Sequence, residues 1–156
     1  VAPDWHLAFA GVDWDDSVKA LKQQAVEAGV EDRVHFLGCL SGEELWSTYR
    51  RADLLLLLSK SEGLSMALLE ALSCGTPALV SPEVAETLDL EGAGWCCVPE
   101  QAGNLLAQLS DADDSVWQQR SLAAKELSQR FSWSRVAERY AHAVDALFFD
   151  KAAAHA

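Results

Sequence analysis

Leu54-Leu55-Leu56-Leu57-Leu58-Ser59-Lys60-Ser61-Glu62-Gly63-Leu64-Ser65-Met66-Ala67-Leu68-Leu69-Glu70-Ala71 joins an unbroken apolar run to a short polar loop and then to a mostly apolar stretch. The five leucines, introduced by Asp53, fit a strand buried on both faces in the middle of a parallel sheet. Ser65 fits an N-cap for a helix through Leu72, with Gly75 at its end and Pro77 beyond. This is a strand, a tight loop and a core helix, and the carboxyl end of the strand is the edge where ligands of such sheets bind.

The same rhythm runs outward in both directions. His6 to Ala10 ends at Gly11, and Val18, Leu21, Ala25 and Ala28 then recur at helical spacing until Gly29. Val34 to Leu37 ends at Gly38, and Ser41-Gly42-Glu43-Glu44 has the pattern of a capping box opening a helix that carries Leu45, Tyr49 and Ala52 inward. On the other side, Ala78-Leu79-Val80 and Trp95 to Val98 read as strands, with a helical turn within Val84 to Leu90. From Ala102 the chain reads as helix, interrupted at Asp111 to Asp114 and at Phe131 to Ser134; Val136, Tyr140, Val144 and Leu147 form the apolar stripe of the last helix. Strands alternating with helices place the chain in the α/β class: a doubly wound parallel sheet with helices on both faces and a helical C-terminus.

Composition narrows the function. The chain has 156 residues, enough for one domain. Twelve Lys and Arg against 24 Asp and Glu give a net charge of −12, which opposes a nucleic-acid backbone or an anionic membrane at long range. No apolar run approaches the roughly 20 residues that span a bilayer as a helix. The start, Val1-Ala2-Pro3-Asp4-Trp5, has no signal-peptide pattern. Cys39, Cys74, Cys96 and Cys97 lack metal-ligand spacing and read as reduced, small core residues of a cytoplasmic protein. His6, His35, His142 and His155 show no ligand spacing either, and Asp111 to Asp114 lacks the glycine of a calcium loop.

The loop after the leucines carries the chemistry. A helix start at Ser65 and Met66 presents unpaired backbone N–H groups to an anion of phosphate size. Gly63 allows close approach of backbone to ligand, and Ser65 offers a hydroxyl as well as an N–H. Glu62 and Glu70 look misplaced beside an anion. They make sense as acceptors for vicinal hydroxyls, since the two oxygens of a carboxylate match a diol. Phosphate between two hydroxyl-rich groups describes a nucleotide-sugar.

These residues resemble the retaining glycosyltransferases of family 4, whose GT-B fold pairs two Rossmann-like domains around a cleft. The resemblance is to the C-terminal, donor-binding domain. It rests on the E-x7-E pair Glu62 and Glu70 within S-x-x-E-G-L-S-x-x-x-L-E-A-L-x-C-G-T-P, and is supported by Leu7 to Gly11, Val34 to Gly38, Tyr49 to Asp53 and Phe131-Ser132-Trp133. It implies that Glu62 faces the donor sugar at the catalytic centre and that Glu70 binds the ribose. It also implies that Gly63, Leu64, Ser65 and Met66 give N–H groups to sugar and diphosphate, that Leu40 with Cys39 lies beside the base, and that Trp133 packs. The donor would be a UDP-, GDP- or ADP-sugar, without a metal or other cofactor. Lys60 is a candidate phosphate cation, with an ordinary surface lysine as the alternative.

The basic pair of a G-R-x(n)-K-G stretch that the family carries on its first strand and loop is not in this sequence. Residues 1–150 are therefore expected to form the donor domain lacking its first strand, with 151–156 as a disordered tail. The acceptor-binding N-terminal domain is missing too, so the chain is expected to be a glycosyltransferase fragment, inactive without that domain, with any peripheral membrane association only through it. A non-catalytic module that binds a nucleotide-sugar or a partner subunit is the alternative.

Overall fold

The structure, a computed structural model, describes residues 5–13 and 15–148, with 147 and 148 as backbone alone. The expected tail and the side chain of Leu147 lie outside the described residues. Strand β1 (Leu7–Ala10) alternates half-buried Leu7 and Phe9 with exposed Ala8 and Ala10. Helix α1 (Ser17–Glu27) returns the chain to β2 (Val34–Gly38), which pairs parallel with β1 and stacks Phe36 on Phe9 at 5.3 Å. Helix α2 (Gly42–Arg51) then leads to a second parallel sheet in the order β3 (Leu55–Leu57), β4 (Ala78–Val80), β5 (Gly94–Cys96). Helix α3 (Met66–Cys74) connects β3 to β4, and α4 (Pro82–Ala85) precedes β5. Three helices close the chain: α5 (Ala102–Ser110), α6 (Asp114–Gln129) and α7 (Trp133–Phe148). The architecture is α/β with parallel sheets flanked by helices and a helical C-terminus, as read from the sequence. Element ends differ from that reading by a residue or two, the usual scatter at termini.

The core lies under the second sheet. Leu68 and Leu72 of α3, Ala78 and Val80 of β4, Val84 of α4 and Ala124 of α6 are fully buried, and Leu127 joins them. Helix α3 is thus an interior helix, closed by Gly75 in a left-handed C-cap (φ 83°). β4 and β5 approach so closely that a Cβ on Gly94 would lie 2.0 Å from the carbonyl oxygen of Ala78, so only glycine fits there. Trp117 of α6 packs against both Trp5 and Trp95, with ring centroids 6.0 and 5.3 Å away, and the Trp5 indole donates to Leu106 O at 3.0 Å. This cluster ties the start of the chain to α5, α6 and β5.

Four expectations are corrected. First, β3 is an edge: it pairs with β4 alone and its three leucines are only half-buried, because no described strand lies between it and β1. Second, the capping box does not form. Gly42 takes a left-handed φ of 54° at the first helical position, and the Ser41 side chain makes no cap bond; the neighbouring Glu43 pairs with Arg50. Third, the cysteines are not core residues. All four are free; Cys39, in the loop after β2, and Cys96, on the edge strand β5, are exposed, while Cys74 and Cys97 are half-buried. Fourth, Trp133 does not pack. It is 85% exposed, and Tyr140 and Val144 on the same helix are exposed as well, while Val136 is half-buried, so the described part of the α7 stripe faces mostly outward; Phe131 instead anchors the approach to α7 on the core.

Candidate functional site

The loop from Ser59 to Ser65 leaves the carboxyl end of β3 and delivers the chain to the start of α3. Its conformation follows from two local bonds. The Ser65 side chain accepts from Leu68 N at 3.4 Å, fixing the first turn of the helix. At the other end, the fully buried Ser81 donates its hydroxyl to Ser59 O at 2.6 Å, pinning the loop to the end of β4.

The two carboxylates are each held by a hydroxyl. Ser59 Oγ donates to Glu62 Oε1 at 3.0 Å, and Tyr49 Oη donates to Glu70 Oε2 at 3.2 Å. Both glutamates are half-buried. In each, one oxygen has a protein partner and the second keeps its lone pairs for other donors. Burial, and then the charge of Glu70, push the Tyr49 phenol up to about 12, so it remains a donor at any physiological pH.

Between them lies the helix start. The first N–H groups of an α-helix have no intrahelical acceptor, and Ser65 satisfies only that of Leu68; those of Met66 and Ala67 remain for an anion. Ser65 is buried, whereas Leu64 and Met66 project outward, 48% and 60% exposed. A Cβ on Gly63 would meet nothing within 4 Å. Packing within the chain does not call for glycine there, and the backbone at Gly63 is open to close approach. Lys60 is exposed and makes no ion pair among the described residues. Leu40, half-buried between β2 and α2, and exposed Cys39 lie on a different loop from Glu62 and Glu70. Sequence reasoning missed Tyr49, Ser59 and Ser81 as supports. Only Ser59 carried a local signal, three residues before Glu62.

An open hollow of about 390 Å³ lies between Cys96 at the end of β5, Cys97 after it, and Asn104 of α5. Among the described residues, no group of three or more His, Cys, Asp or Glu could hold a metal ion. No helix there is long and apolar enough to cross a membrane.

Comparison with known proteins bears on this geometry. The family model described as glycosyl transferases group 1 matches residues 1–121. The D-inositol 3-phosphate glycosyltransferase of Saccharomonospora viridis is 31% identical over 132 residues, covering 77% of this chain and 29% of that protein. In fold, the chain is similar to the Anabaena protein HepE in complex with UDP-glucose, with a TM-score of 0.78, 24% identity, and coverage of 92% of this chain and 42% of that one. It is similar also to the C-terminal domain of a group 1 glycosyl transferase from Francisella tularensis. That match has a TM-score of 0.69 at 16% identity and covers 85% of this chain and 89% of that one. The chain spans 18% to 38% of the length of the curated relatives it matches.

Proposed function

The chain belongs to the group 1 glycosyl transferases, and from that premise we propose that it is the donor-binding lobe of a retaining enzyme of family 4, holding a nucleoside-diphosphate sugar. The observation that carries the reading is the arrangement at one helix start: free N–H groups at Met66 and Ala67 flanked by two carboxylates, each aimed by its own hydroxyl donor. The fold it shares with a protein that binds UDP-glucose supports the same reading.

In the reaction, the bond between the anomeric carbon and the diphosphate breaks as a bond to an acceptor hydroxyl oxygen forms; negative charge collects on the departing diphosphate, which takes up the hydroxyl's proton. The N–H groups of Met66 and Ala67, with those of Gly63 to Ser65 before them, stabilise that charge without reorganising. Lys60 adds the one positive side chain of this loop. Glu62 accepts hydrogen bonds from the sugar hydroxyls and fixes the anomeric carbon in the cleft; Glu70 does the same for the ribose. Leu40 and Cys39 stand on the neighbouring loop where a base would lie. This chain's part in the chemistry uses backbone donors and carboxylates and asks for no metal. The acceptor is read by a separate acceptor-binding lobe, and any attachment to a membrane surface belongs to that lobe. The open edges of β1 and β3 support a donor domain short of one strand, because a doubly wound sheet of order 3-2-1-4-5-6 has its first strand between the second and fourth.

Calorimetry against UDP, GDP, ADP and their sugars tests the reading. Saturable binding of one nucleotide, weakened about tenfold by Glu70→Ala, is the expected result, with Glu62→Ala weakening the sugar nucleotide more than the bare nucleotide. Equal affinities for all variants would overturn it.

A further inference from the structure

Glu70 stands on α3, a helix that cannot roll: Leu68, Ala71 and Leu72 around it are fully buried. Its carboxylate, however, ends a flexible side chain, and helix packing alone does not aim it. The aiming contact comes from the other helix. Tyr49 Oη donates to Oε2 at 3.2 Å across the α2–α3 seam, 21 residues away in sequence.

Tyr49 is itself fixed from two sides. Its carbonyl oxygen accepts from the hydroxyl of buried Thr76 at 2.6 Å, which ties the end of α2 to the turn after α3. Its ring meets the edge of Trp46 with centroids 6.3 Å apart. The phenol is thus a rigid donor, and a rigid donor on one oxygen orients the plane of the whole carboxylate.

We propose that Tyr49 is the positioning residue for Glu70, turning the carboxylate so that its open lone pairs meet both hydroxyls of a ribose. The inference rests on the donor-site reading above. Tyr49 touches no ligand. Its effect is transmitted through Glu70 and is confined to the part of the ligand that Glu70 grips. A ribonucleotide, gripped through both hydroxyls, loses more with the phenol than a nucleotide that keeps only the 3′-hydroxyl.

The test measures affinities of the wild-type chain, Tyr49→Phe and Glu70→Ala for the preferred nucleoside diphosphate and for its 2′-deoxy counterpart. Phenylalanine keeps the ring and its packing, and circular dichroism checks that the fold is intact. The wild type is expected to prefer the ribonucleotide. Tyr49→Phe is expected to lower ribonucleotide affinity about three- to tenfold while leaving the deoxy form within about twofold, so that the preference collapses as it does in Glu70→Ala. A general loosening of the site would weaken both nucleotides equally and would overturn the proposal. So would a Tyr49→Phe chain that keeps the wild-type preference while Glu70→Ala loses it, in which case the donor-site reading stands alone. If the wild-type chain shows no ribose preference, or binds no nucleotide, the donor-site reading fails and the role of Tyr49 fails with it.

Discussion

The β3–β4–β5 half of the molecule and the β1–α1–β2 unit are built on the same βα plan and packed to different depths. Around β4 and α3 the apolar side chains are fully buried, sealed by α6 on the far side. In the β1–α1–β2 unit only Ala25 is buried among the described residues, and Leu7, Phe9, Val34 and Phe36 are half-covered. The candidate site grows from the packed half. Pre-organised hydrogen bonds need supports that do not move, and fully buried neighbours supply them. The loosely packed half contributes at most the loop at Cys39 and Leu40.

The sharpest way to break this contrast is to cut a cavity in each half. Leu72→Ala is expected to cost about 2 to 5 kcal/mol of unfolding free energy. Phe36→Ala, at a half-covered position, should cost about 1 to 2 kcal/mol despite the larger side chain. Urea titrations followed by circular dichroism give both values, and equal losses would mean that the two halves share one core.

A smaller effect sits on the α2–α3 seam that joins the unequal parts. The Tyr49 phenol is pushed up to about 12 from its ordinary 10.0, by burial first and then by the Glu70 charge. The folded chain therefore keeps this proton at pH values where the unfolded chain has lost it. Stability from this source is complete below pH 10 and drains away as pH rises towards about 12. Tyr49→Phe should flatten that part of the stability profile relative to wild type; a profile with the same alkaline slope in both chains would assign the loss to other groups.

The smallest expected effect concerns charge. At −12 the whole chain repels a diphosphate at long range, while on the donor-site reading the attraction comes from short-range donors at one helix start. Raising salt from about 0.01 to 0.15 M shortens the screening length from about 30 to 8 Å, and nucleotide affinity is expected to rise up to about twofold. A steep fall with salt would point to a site run by lysines and arginines. Adding a chelator is expected to leave the affinity unchanged.

Most of the scaffold was legible because its punctuation is local. Gly11, Gly38 and Gly75 end elements where the chain places them, and Ser65 caps α3 as its position before an apolar run implies. The failures have a common physical cause. Whether the leucine run is central or at an edge depends on a strand neighbour, and whether Trp133 is buried depends on a surface for α7 to lie against. Neither can be read from periodicity. The capping box failed for a subtler reason: its residues are right, but Gly42 permits a backbone turn that points Ser41 elsewhere. At the candidate site, the E-x7-E spacing singled out Glu62 and Glu70 as candidates, but not the hydroxyls that hold them: the one that aims Glu70 comes from another helix.

One contact changes what counts as part of the site. Ser81 is fully buried at the end of β4, where its hydroxyl holds Ser59 O and its N–H bonds to Leu57 O at 3.2 Å. Ser59 in turn holds Glu62. The direction in which that carboxylate faces is thus inherited from a residue in the interior of the fold. On the donor-site reading, a change at position 81 is expected to re-aim Glu62 with every exposed residue of the loop left the same.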